Sequence, residues 1–482
     1  MVVGKNLLII LVLVKICFPF RNNFIWGVTS AAYSIEGEYN GDGKGLSTWD
    51  LYTHKHMNET GDISSDSYNN LEGDINLIKK LNVTHYKFSI SWSRILPQGN
   101  VDVVNENGLK YYERLIDGLI EINVQPIVTM LHYDIPLALE DMGGWMNDGI
   151  VEYFYSYAQF LFDKFGDKVK YWITIEDPYN MIMNGYGGTM VGWAPGGYNL
   201  LSNTSIYNGF YNILKSHGKV GKLYKEKYRK GMIGISFTSL PMFSLNIDDG
   251  NENEMFFHLS FGLLANPIFS RDGNYPNEVL ELFQRKTYEE GRSSSRLRLF
   301  TIDEIKEIRN SSDFIGLNYY NVGGSITGLL NEEINVNSNK NMTKVYNQLA
   351  LEINSVIMKN ESENKNVSDI SNGLKYSLTY IKKNYLNIPI LITGNGVEEN
   401  GNIDKIEYMK EHLKIIKNSI RNNFNIIGYC VSNFIDGFEW DKGYSKKMGL
   451  YEVDFENSSR KRTPRKSSFY YMDVIKNNGE VV

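Results

Sequence analysis

The chain has 482 residues, 42% of them hydrophobic, enough to bury a large core as about three domains or as one α/β barrel with insertions. Its formal charge of −6, with both signs interspersed, leaves no basic footprint and argues against nucleic acid as the main ligand. Aromatic residues make up 13%, a share that fits a large core and sugar-stacking surfaces equally well.

Lys5 precedes the apolar run Leu7 to Val14, which is shorter than the about 20 residues a helix needs to cross a bilayer. Residues 1–20 therefore read as a signal peptide, with cleavage expected between Cys17 and Asn23, although Lys15 interrupts the run and no A-x-A site follows. Its removal leaves Cys430 as the last cysteine and excludes a disulfide framework. N-x-S/T sequons at Asn58, Asn82, Asn203, Asn310, Asn341, Asn360, Asn366 and Asn457 fit a secreted protein or one of the secretory lumen, though a chain this rich in Asn and Ser produces many by chance.

Beyond the leader, a short apolar strand after Phe24 runs into a Gly-rich loop ending near Asp50. Leu71, Ile75, Ile78 and Leu81 then recur at helical spacing, followed by strand-like Tyr86 to Ile90. The alternation continues with helix Tyr111 to Glu121, strand Pro126 to Leu131, helix Ile150 to Phe165 and strand Tyr171 to Ile175. Further strands are predicted in GMIGISFTSLPMF and in SSDFIGLNYYNVGG, Ser311 to Gly324. Residues 331–372 turn to Asn, Glu, Ser and Lys without period and read as a low-complexity insertion in the sixth βα loop. Ile390 to Ile392 is apolar and strand-like, breaking at Thr393-Gly394-Asn395-Gly396. A helix carrying Tyr408, His412 and Leu413 then leads to a last strand, in which Cys430 reads as a packed residue. Repeated strand and amphipathic helix predict parallel α/β architecture, a single (β/α)₈ TIM barrel over residues 21–475.

Several strand ends carry polar residues in a recurring order. They are FIWGVTSAAYSIEG, YKFSISW, LHYDIP, YWITIEDPYN, DFIGLNYY, ILITGNG and the block from Gly428 to Phe455. Together they resemble, in family order and from about Phe24 to Tyr471, glycoside hydrolase family 1, the retaining β-glycosidases. The resemblance implies a barrel whose mouth binds a sugar, with no metal and no cofactor. It also implies roles by position: His132 contacts the 3-hydroxyl, Asn318 and Tyr320 line the site, and Glu439 and Trp440 hold the 4-, 6- and 3-hydroxyls.

The chain departs from the family where the chemistry lies. Gly394 stands at the nucleophile position and Asp177 at the acid/base position, one methylene short of glutamate; Glu176 replaces the asparagine that binds the 2-hydroxyl. Ser34, Lys87 and Ser432 stand where the family keeps glutamine, arginine and tryptophan, and Tyr133 replaces another tryptophan. Lysine cannot reproduce arginine's planar fork, and with the nucleophile lost the fork is expected to have nothing to hold. A glycine at 394 is expected to leave a hole that a small anion can enter. A plainer role for Glu176 and Asp177 is to cap the helix after Pro178. Retaining hydrolysis needs two carboxyls about 5 to 5.5 Å apart, so the pattern points to an inactive member, akin to klotho-like and lactase-like proteins, that binds a β-glucoside-like carbohydrate or a protein or glycan ligand. The alternative is a weak or altered β-glycosidase or transglycosidase. No transmembrane anchor is evident, and the sequence sets no oligomeric state.

Overall fold

Eight strands close in chain order into a parallel barrel. They are β1 (Ile25–Thr29), β2 (His85–Ser89), β3 (Gln125–Leu131), β4 (Tyr171–Glu176), β5 (Met232–Thr238), β6 (Phe314–Tyr319), β7 (Ile390–Asn395) and β8 (Ile426–Ser432). Closure is made by β8 against β1, from Ile25 opposite Gly428 to Thr29 opposite Ser432. The computed structural model describes residues 20–187, 193–196, 205–239, 250–320, 367–399 and 401–480.

Outside the strands lie α1 (Leu71–Leu81), α2 (Glu106–Glu121), α3 (Ile150–Phe165), α4 (Ser205–Leu223), α5 (Ile302–Ile308), α6 (Val367–Asn384), α7 (Lys405–Arg421) and α8 (Lys466–Lys476). Of these, α3 buries a face against the strands where Phe162 meets Trp172 edge-on at 5.2 Å. The architecture is the predicted (β/α)₈ barrel, and none of the described helices is long and apolar enough to cross a membrane. Residues 331–366 of the expected insertion lie outside the described residues, while its last six open α6.

Inside the barrel, Ile25, Ile127, Ile173, Phe314, Leu391 and Cys430 form an apolar plug, each such aliphatic or aromatic side chain contributing about 1.5–3 kcal/mol. The plug needs Gly27, because a Cβ there would lie 2.6 Å from the Cys430 Sγ. Burial pushes that thiol up to about 12, so Cys430 is packing material, as its sequence context suggested. One layer higher, at the C-terminal strand ends, the interior turns polar: Thr29, Lys87, Thr129, Glu176, Ser236, Asn318, Thr393 and Ser432 are all buried. This change of layer sets the floor of the mouth.

The sequence placed the break of β7 at Thr393, but the strand runs on to Asn395. Register shifts against both β6 and β8 accommodate it; such bulges re-aim side chains beside functional sites. Thr393 and Gly394 both face inward as a result, the first bonded to Asn318 and the second abutting it.

Candidate functional site

Glu176 is the last residue of β4, and its Oε1 gathers three donors: Lys87 Nζ at 2.9 Å, Asn318 Nδ2 at 2.6 Å and Ser236 Oγ at 3.1 Å. Thr393 closes the ring, donating to Asn318 Oδ1 at 2.9 Å and lying 2.7 Å from Ser236 Oγ. Burial alone would raise the Glu176 carboxyl, but the Lys87 charge and the Asn318 amide outweigh it and hold the group below the ordinary carboxylate range. Lys87 is therefore not idle. It serves as counter-ion to the Glu176 carboxylate.

Asp177 sits in the left-handed region at φ 43°. Its Oδ2 accepts from Tyr133 Oη at 2.6 Å and Asn180 Nδ2 at 2.7 Å. Burial raises its pKa, and the side chains of Tyr133, Asn180 and Thr238 only partly oppose the rise. The carboxyl is thus a buried acid inclined to keep its proton. Its side chain makes no hydrogen bond to the backbone of the short helix Pro178–Asn180, so the capping role does not describe it.

Across the barrel at Gly394 no hole is present. A Cβ built there would lie 2.5 Å from Tyr320 Oη, 2.8 Å from Asn318 Oδ1 and 3.1 Å from Ser432 Oγ. The Tyr320 hydroxyl has taken the space and touches Ser432 Oγ at 3.3 Å, which in turn meets Thr29 Oγ1 at 3.2 Å. This corrects the expectation of an anion-sized gap. Burial raises the Tyr320 phenol far above its usual value, so it stays protonated.

The remaining predicted residues flank this floor. The His132 ring lies 5.0 Å from Trp440 and 4.7 Å from Tyr133, and burial lowers its pKa to about 3, leaving a neutral imidazole. Trp440 also meets Tyr133 at 4.7 Å and Trp49 at 4.9 Å, extending an aromatic wall to Trp193. Glu439 accepts from Asn433 Nδ2 at 2.6 Å; burial first, then the Asp436 charge, push its carboxyl up to about 8. Ser34 is buried with its hydroxyl unpartnered. Glu36 of the opening motif belongs to the frame, accepting from Arg94 at 2.8 Å and Tyr112 at 2.6 Å.

The structure thus brings Glu176, Asn318, Tyr320 and Gly394 together around one floor and Asp177, His132 and Trp440 around Tyr133. Sequence reading missed Ser236, Thr393 and Asn180 as partners. The Asn180 side chain was legible in principle, three residues beyond Asp177 across a proline-started turn. Among the described residues no cluster of His, Cys, Asp or Glu has the makeup to hold a metal ion.

The chain matches Glycosyl hydrolase family 1 over residues 17–480. It is 37% identical to human lactase/phlorizin hydrolase over 95% of its own length, spanning 24% of that longer protein. It is 35% identical to human cytosolic beta-glucosidase, covering 95% of this chain and 98% of that one. Among solved structures it is similar to aphid myrosinase, with a TM-score of 0.83 at 32% identity, over 95% of this chain and 99% of that one. Barrel, motif order and near full-length similarity agree, and the chain belongs to glycosyl hydrolase family 1.

Proposed function

We propose that this barrel binds a β-glucoside-like carbohydrate, free or displayed on a protein or glycan ligand, at its mouth without hydrolysing it. The observation that carries the reading is the end of β7, where Gly394 offers no carboxylate and Tyr320 Oη and Asn318 Oδ1 fill the space beside it. Retaining hydrolysis requires a carboxylate to attack from one side while a second carboxyl protonates the leaving oxygen. Glu176, the ionised group of the floor, is tied to Lys87, Asn318 and Ser236 on the same side as Asp177. Glu398 and Glu399 follow β7 closely but are engaged elsewhere, with Lys446 at 2.9 Å and with Ser467 at 2.9 Å. The aromatic wall and the neutral His132 suit the apolar face and hydroxyls of a sugar.

A weak or altered glycosidase is favoured by one observation, the burial that raises the Asp177 carboxyl above its ordinary value, the direction a proton donor needs. The test is release of nitrophenol from an aryl β-glucoside by the purified chain, compared with Asp177→Ala. The expected outcome is no turnover above background in either; turnover that vanishes in Asp177→Ala would overturn the reading.

Residues 1–20 fit a signal peptide directing a glycoprotein to the secretory route. Phe20 packs on Phe24 at 4.6 Å and on Trp26 at 4.9 Å, within the expected cleavage window of Cys17 to Asn23. The sequon asparagines Asn58, Asn82, Asn310 and Asn457 are exposed. One similar protein is named cytosolic, so the location is read from the leader and not from similarity.

A further inference from the structure

Phe20, the first described residue, meets the last turn of the described chain. It is 2% exposed, although Arg21, Asn22 and Asn23 beside it are exposed. Its ring lies 4.6 Å from Phe24 and, edge-on, 4.9 Å from Trp26 of β1. Its carbonyl accepts from Asn478 Nδ2 at 2.7 Å, and the Oδ1 of that same side chain accepts from the Trp26 indole at 3.2 Å. One amide from beyond α8 thus holds both Phe20 and β1. Gly479 follows at φ 71°, its N–H bonded to the Val474 carbonyl at 2.8 Å, and its Cα stands so close to the Phe20 ring that a Cβ has no room. Only glycine suits both the left-handed turn and the ring. Lys417 of α7 donates to the Gly479 carbonyl at 3.0 Å and fixes the turn from its other side.

We propose that Phe20 is the N-terminal half of a clasp that ties β1 to the C-terminal turn, and that the leader is cut on the N-terminal side of Phe20, after Cys17. The inference rests on the leader reading above and moves the leader's end from residue 20 to Cys17. Two independent observations carry it. A cut after Phe20 removes a packed ring together with the acceptor of Asn478 Nδ2, leaving a cavity against Phe24 and Trp26 and a donor without its partner. A cut between Arg21 and Asn23 also removes the turn in which the Phe24 N–H bonds to the Arg21 carbonyl at 2.9 Å. On the sequence side, a leader peptidase takes a small residue before the bond it cuts, and from Ile16 to Phe20 the small one is Cys17.

The step is a hydrolysis. The Cys17–Phe18 amide bond breaks, and one water supplies the hydroxyl that completes a carboxyl on Cys17 and the proton that completes an amine on Phe18. The new charge is then made two residues ahead of the buried ring. A cut at Pro19–Phe20 instead places an ammonium on a residue that is 2% exposed, where desolvation opposes it.

The test is expression of the full chain in a secreting eukaryotic cell, with mass spectrometry of the N-terminal peptide of the released protein. A terminus at Phe18 is expected. Any other terminus overturns the cut site, and one at Arg21 or beyond overturns the clasp as well. Separately, leaderless chains that start with an initiator Met before Phe18 or before Arg21 are unfolded in urea. The chain without Phe20 is expected to have a folding constant roughly tenfold to a hundredfold smaller, the scale of one buried aromatic side chain. If that chain does not fold, Phe20→Leu in the longer one is the milder variant, and it is expected to lower the urea midpoint. Asn478→Ala should cost the longer chain more than the shorter, which has no Phe20 carbonyl to lose. Equal midpoints in the two chains, or no loss in Phe20→Leu, overturn the clasp. A full chain that is not released, or is released uncut, overturns the leader reading and the cut with it, and the urea comparison then decides the clasp alone.

Discussion

The ends of β4 and β7 stand three strands apart around the barrel and handle charge in opposite ways. At β4 a charge is buried: the barrel supplies Lys87, Asn318 and Ser236 to hold the Glu176 carboxylate. At β7 a charge is absent, and the gap is closed by a hydroxyl already nearby, that of Tyr320. The difference follows from desolvation. A buried carboxylate demands a counter-ion and donors at defined positions, whereas a missing one leaves only volume, which a long side chain fills by a small rotation. Changes at the two ends should therefore differ in kind, electrostatic at one and steric at the other.

The largest expected effect is at the charged end. Lys87→Met leaves Glu176 buried without its cation, and breaking such a pair costs about 3–5 kcal/mol; a corresponding fall in the urea midpoint is expected. Adding Glu176→Gln should recover most of it, because the double variant contains no orphaned charge. A double variant as unstable as the single would show that Lys87 acts through packing and would break the contrast. At the other end, Gly394→Ala places a methyl 2.5 Å from Tyr320 Oη, and overpacking of this sort costs about 1–3 kcal/mol. Since the obstacle is the tip of a side chain, Tyr320→Phe should relieve Gly394→Ala, measured as the thermal midpoint of the pair against each single variant. No relief would place the clash at Asn318 instead.

The same physics decides how much was legible in the sequence. The barrel was, because strands such as Pro126 to Leu131 and helices such as Ile150 to Phe165 announce themselves by period, and the helix came out with those bounds. The identities of Glu176, Asp177 and Gly394 were legible too, each in a local motif. What was not legible was partnership. Lys87 and Glu176 lie on strands separated by β3 and meet only through barrel closure, so Lys87 read as a fork with nothing to grip. The shift at Thr393 had no local signal, since Thr-Gly-Asn-Gly reads as a loop while in the barrel it is bulged strand. Tyr133 was noticed as a substitution, but its bond to Asp177 needed the left-handed turn of both residues, φ 71° and 43°.

An effect of a different kind is expected from pH, and it sharpens the contrast by sign. Glu176 has a lowered pKa in the fold, so its contribution is present above the ordinary carboxylate range and is lost as pH falls through the folded value. Glu439 is raised from 4.5 to about 8 by burial and the neighbouring Asp436 charge. Its folded form binds the proton more tightly than the unfolded one, so its contribution is full below the ordinary value and is lost as pH rises through about 8. Urea midpoints between pH 5 and 8.5 should decline in the native chain and decline less in Glu439→Gln. An unchanged slope would mean that Glu439 titrates normally.

The smallest expected effect is a null one, at the closed end. In a barrel that lost its nucleophile and kept the space, azide or formate can attack an activated β-glucoside from the vacated position, because a leaving group such as dinitrophenolate needs no proton. Here the Tyr320 hydroxyl occupies that space, 2.5 Å from where the missing side chain would begin. Azide is therefore expected to leave the native chain as inert toward dinitrophenyl β-glucoside as buffer does. Tyr320→Ala removes the obstructing ring and hydroxyl, and azide-dependent release of dinitrophenolate is expected to appear there if anywhere, rising with azide concentration until the opened space is saturated. Release that azide stimulates equally in the native chain would show the β7 end to be an open vacancy, and the distinction between an end that gained a charge and an end that closed over a loss would fail.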